Sequence, residues 1–325
     1  MSKQSLESLN QEFYQISPRI LESFSKFRIP LDLYIFKEEI ASLRPFYKKD
    51  TRIPKEKREE ILQLAEQGLL FVSRDDHPIY TKHISKQLDL ILIDKNLTAV
   101  EIISILKQAI PSYIQDFYEQ PVQAVWDVFK ENILILLTYV QKDPHRIKGL
   151  LKNLFTEPKD IVKTTYNAGI FGLGILFNLK QELKSKDLSL LALGLFSYDL
   201  GLYRVPKFIR EKTSNLTPDE EQKILNHPIK GAASMRKLDV REDILLNCHL
   251  EHHERANGTG YPQKLTEKQM SFSGKLTSLA HFCAEQISQN QDPKQLLNLL
   301  SQNRSLFADK FLNASLNLLA NTHLK

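Results

Sequence analysis

Three histidines, His249, His252 and His253, fall inside the five residues H-L-E-H-H. On a helix, positions i, i+3 and i+4 share one face, so two or three of these imidazoles could converge on one point. Neutral imidazoles gathered in that way suit a divalent transition metal. The next stretch, Asn257-Gly258-Thr259-Gly260-Tyr261-Pro262, cannot continue a helix, because its glycines and proline impose a turn beside the histidines. Cys248 and Cys283 adjoin this region and read as ordinary core thiols; with only 2 cysteines in the chain, a disulfide framework is excluded.

The elements that must position these groups are mostly helices. From Leu97 onward the apolar residues recur with a period near 3.6, and Pro111, Pro121, Pro144 and Pro158 mark expected helix boundaries. The spacing predicts an amphipathic helix over Val122 to Val140, carrying Trp126. Buried helices follow over Ile161 to Leu183 and Leu188 to Leu200. Thr217-Pro218-Asp219-Glu220 combines a capping box with a proline in the first helical turn. A helix should begin there and run to His227, leaving that histidine at a helix C-terminus before Pro228. Further helices are expected at Lys230 to Leu238, Arg241 to Glu254, Ser273 to Gln289, Pro293 to Gln302 and Leu306 to Leu319.

The first third reads differently. Residues 1 to 26 suggest an amphipathic helix or loose arm, and Ile29 to Phe36 a strand with Pro30 at its start. Lys55 to Gln67 should be a helix closed by Gly68. Leu69 to Val72 and Ile79 to Thr81 then flank the turn Ser73 to His77 as a hairpin. The fold class expected is mainly α, a C-terminal helical bundle preceded by a small α+β domain. Its divisions are residues 1–95, a helical connector at 96–152 and a helical domain at 153–325.

Composition narrows the function classes. A net charge of +5 would favour an anionic ligand but falls short of a nucleic-acid-binding signature, so no DNA partner is expected. The basic run Lys48 to Arg58 reads as a solvated loop. No apolar run is long enough to span a bilayer, and the N-terminus lacks the blocks of a signal peptide. A cytoplasmic location without membrane contact is the expectation.

Three fragments then line up in order: Tyr198-Asp199-Leu200-Gly201 with Val205-Pro206, then Leu216 to Glu221 with His227-Pro228 and Gly231, then His252-His253-Glu254-Arg255 to Gly260-Tyr261-Pro262. This order and spacing resemble the HD-GYP family of HD-domain phosphohydrolases, whose known members hydrolyse cyclic di-GMP. The most specific fragment is H-H-E-x-x-x-G-x-G-Y-P. The resemblance implies a helical bundle holding one or two divalent ions, iron or manganese. The ligand candidates it implies are Asp199, His227, His252, His253 and His281, with Asp199 also in the catalytic role. Arg255, Gly260, Tyr261, Pro262 and Lys275 are implied to meet guanine or phosphate. Asp160 is a weaker carboxylate candidate.

Departures from the family pattern are equally informative. Tyr198 stands where the family has the histidine of its His-Asp pair, and Leu202 where it has a phosphate-contacting lysine. Thr164 replaces an early histidine, His281 a metal-binding aspartate, and Asn257 the aspartate before the G-Y-P turn. The resemblance so thinned implies a degenerate member, catalytically impaired, acting through cyclic di-GMP or a related nucleotide or a signalling-protein partner. Two alternatives stay open. One is an active metal-dependent phosphodiesterase with a rearranged site; the other is an interaction module with neither metal nor nucleotide. A homodimer is compatible with each.

Overall fold

The computed structural model describes residues 12–16, 18, 21, 24, 28–37, 42–76, 88–92, 97–143, 145–156, 160–179, 182–212, 214–289 and 293–323. The chain divides into two compact units, Met1–Ala109 and Ile110–Lys325.

In the first unit, β1 (Phe13–Gln15), β2 (Leu33–Lys37), β3 (Ser42–Tyr47) and β4 (Leu70–Ser73) form an antiparallel sheet in the order β1-β4-β2-β3. Helix α1 (Lys55–Glu66) packs on β4 through Ile61 and Ala65. Its end is as expected: Gly68 at φ 70° lets its own N–H reach Ala65 O (3.0 Å) and that of Leu69 reach Leu64 O (2.9 Å). Two expectations need correction. The N-terminal arm contains a strand, since β1 pairs with β4 from Phe13↔Ser73 to Gln15↔Phe71. β4 also pairs with β2, across Leu33↔Val72 to Ile35↔Leu70. Its partners are therefore distant in sequence. The expected hairpin partner Ile79–Thr81 lies outside the described residues. β3 was not foreseen, because Pro45 argues against a strand; it survives at the sheet edge, beside a register shift between Leu33 and Tyr34. The unit also holds α2 (Leu88–Ile91).

Helix α3 (Ala99–Glu119) carries Pro111 in its interior, where a boundary was expected. An interior proline costs about 3 kcal/mol. The burial of Ile110, Ile114, Phe117 and Tyr118 around it outweighs that penalty. Pro121 does separate α3 from α4 (Gln123–Lys142), whose Phe129 stacks on Phe117 at 5.0 Å and whose Trp126 meets it tilted at 5.1 Å.

The rest of the second unit comprises α5 (His145–Leu151), α6 (Ile161–Asn178), α7 (Ser185–Leu195), α8 (Leu200–Tyr203), α9 (Lys207–Arg210), α10 (Pro218–Leu225), α11 (His227–Lys237), α12 (Asp243–Glu251), α13 (Phe272–Ser288), α14 (Pro293–Gln302) and α15 (Asp309–His323). At the centre is α6, buried without interruption from Thr164 to Leu176 and packed against α5, α7, α13 and α15. A helix surrounded in this way needs small residues at its crossings. A Cβ at Gly169 would overlap the Phe196 ring, and one at Gly172 the Leu195 side chain. Asp160 is not directed at the bundle interior: it caps α6, accepting from Lys163 N at 3.0 Å. Among the described residues, no helix is long and apolar enough to cross a membrane.

The Gly169 crossing makes the first prediction. Gly169→Ala forces the buried Phe196 ring to move and should lower stability by about 1–3 kcal/mol in chemical denaturation. A loss within error would show that this crossing is not close-packed.

Candidate metal centre

Helix α7 stops at Leu195, before the Leu200 expected of it, and residues 196–199 turn the chain into α8. Ser197 holds the turn by donating its hydroxyl to Leu193 O at 2.8 Å. The Asp199 N–H donates to the Tyr118 hydroxyl oxygen at 3.2 Å. The carboxylate of Asp199 caps nothing, and it is 2% exposed. Helix α8 then runs against α11 so closely that a Cβ at Gly201 would overlap the carbonyl oxygen of His227. This approach brings His227 Nε2 to 3.4 Å from Asp199 Oδ1.

His227 is not at a helix C-terminus. The capping box of Thr217 and Glu220 forms as expected, but α10 closes at Leu225, and His227 opens α11. Pro228 is the reason. Its fixed φ and missing N–H are tolerated in a first helical turn, so it starts the second helix as it ends the first.

The helix through the histidine pair is likewise shorter than expected, ending at Glu251, so His252 and His253 lie in the turn beyond it. The face shared with His249 ends there too. His249 Nε2 points to Ser197 Oγ at 3.2 Å instead. What converges is His227, His252 and His253, with one ligand atom each all within 4.8 Å of one another. His252 Nε2 lies 2.8 Å from His227 Nε2 and 4.0 Å from Asp199 Oδ1.

Hydrogen bonding assigns the tautomers. His227 Nδ1 faces Ile224 O at 2.6 Å, and His252 Nδ1 faces His249 O at 2.7 Å. A carbonyl only accepts, so each Nδ1 carries the hydrogen and each Nε2 presents a lone pair. Burial keeps both rings neutral: it lowers His227 to about 4 and His252 well below the usual range. Burial also raises the Asp199 carboxyl to about 8, with the Glu285 charge adding to the shift, and Oδ1 has no hydrogen-bond partner. Three buried acceptor atoms thus face one another with no donor among them, which is costly unless a cation or a shared proton joins them. The set fits a divalent ion. Three imidazoles and one carboxylate are borderline donors of the kind such ions take, and backbone carbonyls fix two of the rings from behind.

His281 lies beside the cluster, its ring centroid 4.6 Å from that of His253 and 5.3 Å from that of His252. Its Nδ1 is 3.0 Å from the Tyr198 hydroxyl. Its Nε2, buried and without a hydrogen-bond partner, is 3.4 Å from Glu285 Oε2. Tyr261 stacks on His253 at 4.4 Å and 16°. Gly260 passes under that turn, where a Cβ would come within 2.5 Å of His253 O and Glu254 Cα, and Pro262 follows through a cis peptide. Lys275 is half-buried in the first turn of α13, and its charge partly offsets the rise that burial gives the Glu251 carboxyl. Arg255 points inward: its Nη1 donates to Glu254 O at 2.9 Å, Ser278 Oγ at 3.1 Å and His252 O at 3.3 Å.

Three functional side chains escaped the sequence reading. Buried Glu254 accepts from Gln263 N (2.6 Å) and Leu265 N (2.8 Å), tying the glycine-rich turn to the histidine pair. Glu251 accepts from Ser271 N at 2.8 Å and fastens the start of α13. Glu285 follows His281 by one helical turn in H-F-C-A-E, a spacing that could have identified it.

Residues 164–306 match the family model of the HD domain. Over 116 residues the chain is 31% identical to the cyclic di-GMP phosphodiesterase PA4108 of Pseudomonas aeruginosa, covering 34% of this chain and 28% of that protein. It is 28% identical over 116 residues to a cyclic di-GMP phosphodiesterase of Thermotoga maritima, covering 34% and 30%. The chain thus spans under a third of the length of these curated relatives. Among solved structures, it resembles Bd1817, a HDG"Y"P protein from Bdellovibrio bacteriovorus, with a TM-score of 0.65 at 16% identity, covering 94% of this chain and 99% of that one. At that identity the likeness speaks for the fold. Residues 164–306 thus match the HD domain, part of the chain is homologous to cyclic di-GMP phosphodiesterases, and its fold is similar to that of an HD-GYP protein.

Two predictions follow from the acceptor cluster. Replacing His252 and His253 together with alanine should lower bound metal and melting temperature in step, measured by elemental analysis and thermal denaturation; unchanged metal content would count against these ligands. In chelator-treated protein, a carboxyl raised from 3.8 to about 8 keeps its proton when folded and has released it when unfolded. Its contribution is therefore full below 3.8 and is lost as pH rises toward 8. The stability of the wild type relative to Asp199→Asn should fall across that interval, and a pH-independent difference would refute a protonated Asp199.

Proposed function

We propose that this HD domain binds cyclic di-GMP, or a related cyclic dinucleotide, at its metal centre and hydrolyses it slowly or not at all, signalling through the bound ligand or a partner protein. The observation that carries this reading is the 3.0 Å contact between the Tyr198 hydroxyl and His281 Nδ1. Tyr198 stands at the position of a family histidine, and its phenol is occupied with a second substituted position. Asp199, His227, His252 and His253 would hold the ion. When bound, it would polarise a phosphodiester and lower the pKa of a coordinated water.

The remaining chemistry belongs to this chain's own side chains. The stacked Tyr261 offers an aromatic face to a nucleobase, and Lys275 offers one cation to a phosphate. Leu202 supplies no charge where the family has lysine, and the Arg255 guanidinium is spent on carbonyls and Ser278. A site short of cations binds a diester but stabilises its charged transition state poorly. A working phosphodiesterase with a rearranged site is the second reading, favoured by the unpartnered His281 Nε2.

The test is incubation of the purified chain with cyclic di-GMP and manganese or iron, followed by chromatography and thermal denaturation. Expected is a nucleotide-dependent rise in melting temperature with negligible conversion. Rapid formation of linear pGpG or GMP would overturn the reading in favour of the second. Absence of any shift with metal or nucleotide would leave an interaction module.

A further inference from the structure

Away from the histidines, α8, α9 and the last turn of α3 border an open cavity of about 410 Å³. That volume lies within the range of roughly 300–1,000 Å³ that small-molecule sites occupy. Tyr118, Glu119, Tyr203, Arg204, Lys207 and Arg210 line it, and none of the metal-ligand candidates does.

Charge in this cavity is unbalanced, with three cations against one carboxylate. The carboxylate is already engaged: Glu119 Oε1 accepts from the Tyr203 hydroxyl at 3.2 Å and from Gln115 Nε2 at 2.9 Å. The cations are not neutralised in the same way. Among the described residues, the Arg204 side chain has no hydrogen-bond or ion-pair partner, and Arg210 pairs with no carboxylate. Lys207 Nζ lies 3.7 Å from Glu211 Oε1, but both side chains are exposed and such a pair is weak. Arg210 is half-buried and held only by Tyr203: its Nη1 donates to Tyr203 O at 2.6 Å, and its guanidinium lies 4.6 Å from the centroid of that ring. A guanidinium fixed in this way without a counter-ion suits the oxygens of a phosphate.

A ligand complementary to the whole cavity brings negative charge to the cations and hydrogen-bond donors to Glu119. Inorganic phosphate answers mainly the first demand. A nucleoside monophosphate answers both, with a phosphate at one end and ribose hydroxyls and base N–H groups at the other. We propose that this cavity binds a nucleoside monophosphate, the phosphate on Arg204, Lys207 and Arg210 and the donors on Glu119. The site needs neither the metal ion nor hydrolysis, so it stands apart from the reading above. Tyr118 is the wall through which it adjoins the metal centre, since the Tyr118 hydroxyl accepts from Asp199 N at 3.2 Å.

The experiment is calorimetric titration of the chelator-treated full chain with guanosine monophosphate and, separately, inorganic phosphate. Wild-type protein should bind the nucleotide saturably at one equivalent and more tightly than phosphate. Arg204→Gln/Lys207→Gln, at two exposed positions, should weaken nucleotide binding by at least about tenfold without changing the melting temperature. Glu119→Gln should strengthen phosphate binding and narrow the preference for the nucleotide. His252→Ala/His253→Ala should bind the nucleotide as wild type does. Absence of saturable binding, or binding indifferent to Arg204→Gln/Lys207→Gln, would overturn the site. Equal affinity for phosphate and nucleotide would overturn the nucleoside part of the assignment.

Discussion

Two imidazole nitrogens and a carboxylate oxygen, all acceptors, meet inside a buried pocket because backbone carbonyls have claimed the opposite edge of each ring. Electrostatics makes that arrangement unfavourable when left alone. It is held in place by structure formed elsewhere, chiefly the burial of α6 and the packing of α7, α12 and α13 around it. The pocket therefore stores a demand for positive charge. A proton on Asp199 answers it in the metal-free protein, and a divalent ion answers it better, since one ion can accept all the lone pairs together.

The groups arrive from three separate parts of the chain, and each arrival depends on main chain more than on side-chain fit. Gly201 lets the backbone of α8 touch the start of α11, which sets the distance between Asp199 and His227. Pro228 starts α11 at His227, so that ring stands at a corner with both nitrogens usable. Glu251 and Glu254 grip backbone N–H groups on the far side of the glycine-rich turn. By accepting these bonds the two carboxylates lock the loop under the histidines.

Much of this was readable from the sequence where the signal was local. Thr217, Pro218 and Glu220 announced a helix start through side-chain-to-backbone bonding within four residues, and Gly68 announced a helix end in the same way. The His252-His253 pair, with the turn that follows it, pointed to the centre. What could not be read was nonlocal or ambiguous. The strand at Phe13–Gln15 exists because Phe71–Ser73 lies beside it, and nothing in three residues says so. Pro228 can close one helix or open the next, and the choice depends on burial of His227. His249 shares the helical face with its neighbours only while the helix lasts, and it stops at Glu251. Pro111 reads as a breaker, yet tertiary burial overrides it.

Apart from the Ser271 hydroxyl, which also donates to Glu251 at 3.1 Å, Glu251 and Glu254 hold this segment through peptide N–H groups, which every residue but proline possesses. The segment they fasten, from Gln263 through Ser271, can therefore exchange most of its side chains over generations while its path is preserved. Such a loop is a natural place for ligand preference to drift while the metal-facing side chains stay fixed.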